Sequence, residues 1–343
     1  MLTIYSSDHS LHHGVELKDG AISESFEKPQ RAETVLARVK STGLGDVIRP
    51  KSYDRKSYIG AHSERYVEFL ASAWDEWTAT GRSCQALPLV WPVRGLPSAD
   101  VPQYIDGKLG FFSMDAGSPI NEGTWRAVCS SANTALTGMD TLGERAHAAF
   151  ALCRPPGHHA GREYMGGYCY LNNAAIAAQH CLNRGATRVA ILDIDFHHGN
   201  GTQDIFYDRS DVLFVSIHGE PSISYPYFAG YASERGVGAG EGFNLNMPLP
   251  KGTAMNEYEA ALHHAGTAIT RHAPDALVIS LGVDTFEHDP ISHFRLRTSD
   301  YLRIGEIIAG FDVPTLFVME GGYMVDEIGI NAVNVLLGFE GRN

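Results

Sequence analysis

Val189-Ala190-Ile191-Leu192-Asp193-Ile194-Asp195-Phe196-His197-His198-Gly199-Asn200-Gly201-Thr202 begins as a short apolar run and then delivers Asp193, Asp195 and His197 at alternate positions. Alternate residues of a strand leave on the same face, so an apolar strand ending this way aims its polar groups at one point. Carboxylate oxygen and imidazole nitrogen, with no thiolate at the right spacing, suit a catalytic zinc or a similar divalent ion that keeps one position open for water. Taken alone, the stretch also suits a polar strand end that is solvated or paired with Lys and Arg. The rest of the chain has to decide.

From about residue 145 onward, similar runs alternate with helical patterns: Ala148-Ala-Phe-Ala-Leu-Cys153, Val212-Leu-Phe-Val-Ser-Ile217, Ala276-Leu-Val-Ile-Ser-Leu281 and Thr315-Leu-Phe-Val-Met-Glu320. Continuous apolar runs of this length are strands buried on both faces. Helical periodicity at about 173–184, 256–272, 299–309 and 326–338 separates them, the order that a parallel sheet with right-handed crossovers requires. Upstream, a strand at about 2–5 and helices near 31–43, 62–79 and 124–139 are expected to cover the same sheet. The expected fold is one α/β domain over residues 1–343. The segment from about 85 to 123 carries Pro88, Pro92, Pro97, Pro102 and Pro119 without sustained periodicity, and is expected to be a long ordered loop with a functional or interface role.

Composition narrows the function. The 343 residues are 44% hydrophobic and 20% charged, with a net charge of −13 and a pI near 5.6. An acidic surface disfavours nucleic acid, whose phosphates need a basic face, and accommodates a cationic partner. No basic stretch leads into an apolar one at the start, and no run of 18 apolar residues follows, so a cytoplasmic location is expected. Cys84, Cys129, Cys153, Cys169 and Cys181 are odd in number and form no C-x-x-C pair, as befits idle thiols in a reducing compartment.

In an open parallel sheet, ligands bind beyond the carboxyl ends of the strands, and four strand ends here carry polar clusters. They are Arg154-Pro-Pro-Gly-His158-His159, Asp193-Ile-Asp195-Phe-His197, Gly282-Val-Asp284 and Glu320-Gly-Gly-Tyr323. Asp284 supplies a third ligand beside Asp195 and His197, leaving room for a water whose pKa zinc would lower toward ~7. His158 and His159 are placed to take a proton from that water and return one to a leaving amine. Tyr323, after two glycines, can hydrogen-bond the oxyanion of a tetrahedral intermediate.

These motifs, with Gly166-Gly-Tyr-Cys-Tyr-Leu-Asn-Asn173 and the continuation of the opening stretch to Gln203, resemble the histone deacetylase superfamily, and within it the bacterial acetylpolyamine amidohydrolases. The resemblance covers roughly 140–340 with specific motifs and the N-terminal third more loosely. It implies an arginase-like α/β fold and zinc-dependent hydrolysis of an acylated primary amine. By the same resemblance Asp195, His197 and Asp284 hold zinc, His159 is general base and then general acid, His158 assists electrostatically, and Tyr323 polarises the amide carbonyl. Asp193 orients His158 and Asn200 faces His159, at a position where many members have a second Asp. A potassium ion is implied at Asp193, Asp195, His197, Ser216 and Ile217, largely through backbone oxygens, and a second at Phe206, Arg209 and Val212. Tyr168 and Tyr225 match the walls of a narrow tunnel, and Gly157, Gly167 and Gly322 let backbone approach the substrate. Ferrous iron would fit the zinc ligands too.

In the polyamine-specific group the 85–123 segment is an insertion that packs across a homodimer and narrows the entrance, which favours small linear substrates. Here it holds Asp100, Asp106, Asp115 and Glu122 against Arg94 and Lys108, a local balance of −2, and an acidic rim attracts the ammonium of a monoacetylated diamine. Asp106 is the residue singled out for that contact. Gly117 stands where some polyamine deacetylases add another acid. The competing readings are a protein acetyl-lysine deacetylase with a wider mouth, a two-manganese ureohydrolase, disfavoured because the chain has Asp-x-Asp-x-His rather than Asp-x-His-x-Asp, and a non-catalytic acyl-amine binder, disfavoured because a binder needs no proton shuttle.

Overall fold

The computed structural model describes residues 1–18, 20–93, 100–143 and 146–342, so Arg94 and Pro97 lie outside the described residues. Its strands are β1 (Leu2–Ile4), β2 (Val15–Lys18), β3 (Ala21–Glu24), β4 (Val47–Ile48), β5 (Ala148–Ala151), β6 (Val189–Asp193), β7 (Val212–Gly219), β8 (Asn244–Leu249), β9 (Ala276–Leu281) and β10 (Thr315–Met319). The helices are α1 (Gln30–Ser41), α2 (Glu64–Ala79), α3 (Ile105–Phe111), α4 (Thr124–Thr141), α5 (Asn173–Asn183), α6 (Asn200–Phe206), α7 (Met255–His272), α8 (Asp300–Ala309) and α9 (Val325–Phe339). Eight strands form one parallel sheet in the order β4-β1-β5-β10-β9-β6-β7-β8, and β2 and β3 pair as a separate antiparallel hairpin. No helix among the described residues is long and apolar enough to cross a membrane.

The period of two along each central strand sorts the apolar side chains into two cores. Val189 and Ile191 of β6, Val278 of β9 and Leu316 and Val318 of β10 pack on one face with α2, α4 and α5. Ala190 and Leu192, Leu277 and Ile279, and Phe317 and Met319 pack on the other with α1, α7, α8 and α9. Burying one Leu, Ile or Phe contributes roughly 1.5–3 kcal/mol, so helices on both faces fix the height at which the strands end. The polar clusters follow β5, β10, β9 and β6, which are consecutive neighbours, and they therefore converge.

The structure adds elements that periodicity misses. Strand β8 lies at the sheet edge with polar Asn244 and Asn246 alternating along it, and edge strands need no continuous apolar run. The expected 85–123 loop contains the helical turn pair α3, seven residues with two glycines, too short to show a period. The β2–β3 hairpin exposes Leu17 and Ile22 and has only one buried residue, Glu16, so nothing marks it as part of a core.

Candidate active site

Asp193 closes β6, and Asp195 and His197 follow it; Asp284 follows β9. The ligand atoms of Asp195, His197 and Asp284 lie within 4.8 Å of one another, and all three residues are buried. His197 Nδ1 faces Asp284 Oδ2 at 2.8 Å and Asp195 Oδ1 at 3.4 Å. Burial pulls the His197 imidazole down, but the two carboxylates overcome it and raise its pKa to about 10, while burial and the neighbouring Asp195 push the Asp284 carboxyl up to about 7. A buried pocket holding two carboxylates around one ring nitrogen fits a divalent cation, which would take the place of the ring proton and neutralise the acids. The oxygen and nitrogen donors suit zinc or ferrous iron. Glycine is required beside this triad, because a Cβ on Gly282 or Gly321 would lie 2.1 Å or 2.5 Å from Asp195 Oδ2, whose oxygen accepts the Gly321 N–H at 2.8 Å.

The two imidazoles before them are driven apart. His158 Nδ1 donates to Asp193 Oδ2 at 2.9 Å; burial lowers its pKa, but Asp195 and Asp193 together raise it to about 10. His159, 4.0 Å away ring to ring, is held well below the usual value by burial and then by repulsion from His158 and His197. Its Nδ1 meets Asn200 Oδ1 at 2.7 Å, and an amide oxygen only accepts, so Nδ1 carries the proton and Nε2 is left basic. The Asn200 amide is oriented by its Nδ2, which lies 3.3 Å from the Tyr164 hydroxyl and 3.2 Å from Met114 Sδ. A cationic and a neutral imidazole side by side are a proton-transfer pair with roles assigned by environment.

Groups that sequence reasoning passed over hold these loops. Glu320 is fully buried; its Oε2 accepts the Gly157 N–H at 2.6 Å and the His158 N–H at 3.2 Å. Arg31 of α1 donates to the carbonyls of Gly322 and Glu320 at 2.6 and 2.5 Å, and its guanidinium lies 4.7 Å from the Tyr323 ring centre. Glu27 Oε1 receives Arg31 at 2.9 Å and Arg154 at 2.8 Å, and Arg154 also donates to the His9 and His12 carbonyls. Burial keeps the Tyr323 phenol protonated, although Arg31 opposes that shift, so its hydroxyl remains a donor. On the other side, Asn172 caps α5 through the Ala175 N–H at 2.9 Å and donates to the Ala160 carbonyl at 3.1 Å, while Asn173 donates to the Pro155 carbonyl at 3.1 Å. The paired asparagines thus tie α5 to the histidine loop. Cys153 and Cys169 are buried with thiols pushed up by burial, which leaves them unreactive.

A cleft of about 430 Å³ opens above the triad, walled by Tyr168 and Tyr225 with His159, His197 and Tyr323 at its base. Gly167, at φ +52°, has no room for a Cβ, which would sit 2.4 Å from His159 Cδ2. Gly322, at φ +121°, gives its carbonyl to Arg31. The carboxylates on the cleft are Glu16 and Asp115: Tyr168 donates to Glu16 Oε2 and Tyr225 to Asp115 Oδ2, each at 2.5 Å. Asp106 does not line this cleft. It sits in the first turn of α3 in a two-pronged pair with Arg82 at 2.6 and 3.0 Å. Glu16 carries no signal in the sequence, whereas Asp115 stood among the four loop acids with nothing to mark its face. Ile291 and His293 also line the cleft, outside any motif.

The remaining predicted positions lie on β7 and in the helix and turn that lead into it. Ser216 pairs in register with Asp193 across β6 and β7, and Ile217 follows it. The backbone carbonyls of Asp195 and His197 accept no backbone hydrogen bond among the described residues, so they are free to face a cation. Phe206 ends α6, Arg209 follows in the turn and pairs with Asp211 at 2.7 Å, and Val212 opens β7.

Residues 25–338 match the histone deacetylase domain family. The chain is 59% identical to acetylpolyamine amidohydrolase 2 of Pseudomonas aeruginosa, with 99% of each chain covered. It is 48% identical to acetylpolyamine amidohydrolase of Mycoplana ramosa over 99% of this chain and 100% of that one. A crystal structure of acetylpolyamine aminohydrolase from Burkholderia pseudomallei superposes with a TM-score of 0.94 at 39% identity, covering 100% of both chains.

Proposed function

The chain belongs to the histone deacetylase family, and from that premise we propose that it removes acetyl groups from acetylated polyamines such as acetylputrescine, acetylcadaverine and acetylspermidine. The observation that carries the substrate class is the pair of carboxylates, Glu16 and Asp115, held at the cleft by the two tyrosines of its walls. A slender aliphatic chain fits between aromatic walls, and a terminal ammonium is attracted by acids at the mouth. Acetyl-lysine in a folded protein lacks that ammonium.

Asp195, His197 and Asp284 would hold a zinc or ferrous ion, which would supply Lewis acidity to the reaction. His159 Nε2 takes the proton of the attacking water and returns it to the departing amine. His158, held cationic by Asp193, favours the negative charge that develops, and the Tyr323 hydroxyl donates to the carbonyl oxygen as it becomes an oxyanion. Asn200 keeps His159 in the tautomer that this requires; unlike a carboxylate, it adds no basicity. Potassium at Asp193, Asp195, His197, Ser216 and Ile217 would brace the loop behind the triad, and the turn at Phe206, Arg209 and Val212 is the proposed second potassium position. Leu89, Val90, Val93 and Tyr104 are exposed on one segment, which supports self-association of two copies through 85–123.

The test is steady-state hydrolysis by zinc-loaded protein of N-acetylputrescine, N-acetylcadaverine and N8-acetylspermidine beside an acetyl-lysine peptide. Preference for the free polyamines is expected; preference for the peptide would make the protein a lysine deacetylase.

A further inference from the structure

Tyr225 and Asp115 line the catalytic cleft on one side and a second cavity, of about 540 Å³, on the other. The second cavity is walled by the rings of Tyr164, Tyr207, Tyr227 and Phe228, and its charged lining residues are Asp115 and Asp204, with neither Lys nor Arg among the described residues. Tyr227 reaches both cavities and adopts φ +65°, a left-handed conformation that a bulky side chain rarely takes unless its surroundings hold it there. Its N–H is tied to the Ser224 carbonyl at 2.9 Å, and Phe228 beyond it is 87% exposed. Asp204 Oδ2 accepts the Arg162 N–H at 2.8 Å, and Oδ1 has no hydrogen-bond partner among the described residues.

Aromatic faces combined with carboxylates are the chemistry that recognises an organic ammonium. A large ring left 87% exposed at the mouth of a cleft also calls for an occupant. We propose that this cavity is a second subsite, which takes the distal ammonium of an acetylated polyamine longer than a diamine. The acetyl group lies at the triad, the first amine at Glu16 and Asp115, and the extension crosses the Tyr225–Asp115 wall to reach Tyr227, Phe228 and Asp204. This inference rests on the acetylpolyamine reading above.

N-acetylputrescine and N8-acetylspermidine differ only by an aminopropyl extension beyond the first amine, so they isolate the second cavity. With zinc-loaded protein, Phe228→Ala and Asp204→Asn should each raise KM for N8-acetylspermidine roughly three- to tenfold, leave KM for N-acetylputrescine unchanged and leave kcat for both unchanged. Phe228→Tyr should restore the N8-acetylspermidine value. Equal changes on the two substrates would overturn the subsite, as would a change in particle mass on sedimentation for Phe228→Ala, since the ring would then belong to an interface between copies. If the unmodified protein hydrolyses N-acetylputrescine and the variants do not separate the substrates, the subsite alone falls; if it hydrolyses neither polyamine, both readings fall.

Discussion

At the floor of the cleft, Asp193, Asp195, Asp284 and Glu320 are fully buried, each at or just past the end of a central strand. At the rim, Leu17 is 59% and Ile223 54% exposed, on a hairpin and a loop outside the parallel sheet. The floor holds charges that water cannot screen, so their positions must be set by packed neighbours. The rim holds the proposed substrate contacts on groups that can be exchanged without moving a strand. On the proposed function, reaction and selectivity are therefore separable properties of this molecule.

The largest expected effect breaks the floor alone. Removing the metal with a chelator should abolish turnover and added zinc should restore it, followed as steady-state rate; turnover that survives chelation would take Asp195, His197 and Asp284 out of metal binding. Next, Tyr323→Phe should lower kcat by ~10²–10³ with little change in KM, if its hydroxyl meets the oxyanion. An unchanged kcat would remove Tyr323 from the reaction. The smallest effect belongs to the rim: Glu16→Gln should raise KM for N-acetylputrescine about tenfold and leave kcat and the turnover of a neutral acetyl-amide as they were. A fall in kcat instead would mean that floor and rim are coupled through the Tyr168–Glu16 contact.

The same division explains what could be read from the residues. Asp193, Asp195 and His197 stand in one short run, and the strands that carry Asp284 and Tyr323 announce themselves by apolar runs, so the strand-end rule brings the floor together without coordinates. The rim depends on pairings between distant positions. Tyr168 meets Glu16 across 152 residues, and Tyr225 meets Asp115 across 110. Choosing Asp115 over Asp106 needed the knowledge that α3 begins at Ile105 and that Arg82 lies within reach of Asp106, and neither has a local signature. Arg31 was hidden for another reason: it lies on the apolar face of α1, where its buried guanidinium serves backbone carbonyls 289 and 291 residues away.

Glu27 has a consequence for dissecting the chain. A fragment beginning at residue 32 would keep all three metal ligands, both histidines and Tyr323, yet it would lack Glu27 and Arg31. Arg154 would lose its counter-charge together with the His9 and His12 carbonyls and the strand β1 that borders β5, and the Glu320–Tyr323 turn would lose the guanidinium that clamps its carbonyls. The recognisable motifs are thus not a portable cassette: transplanting 140–340 into another scaffold would carry the reagents of the reaction without the fixture that holds them in place.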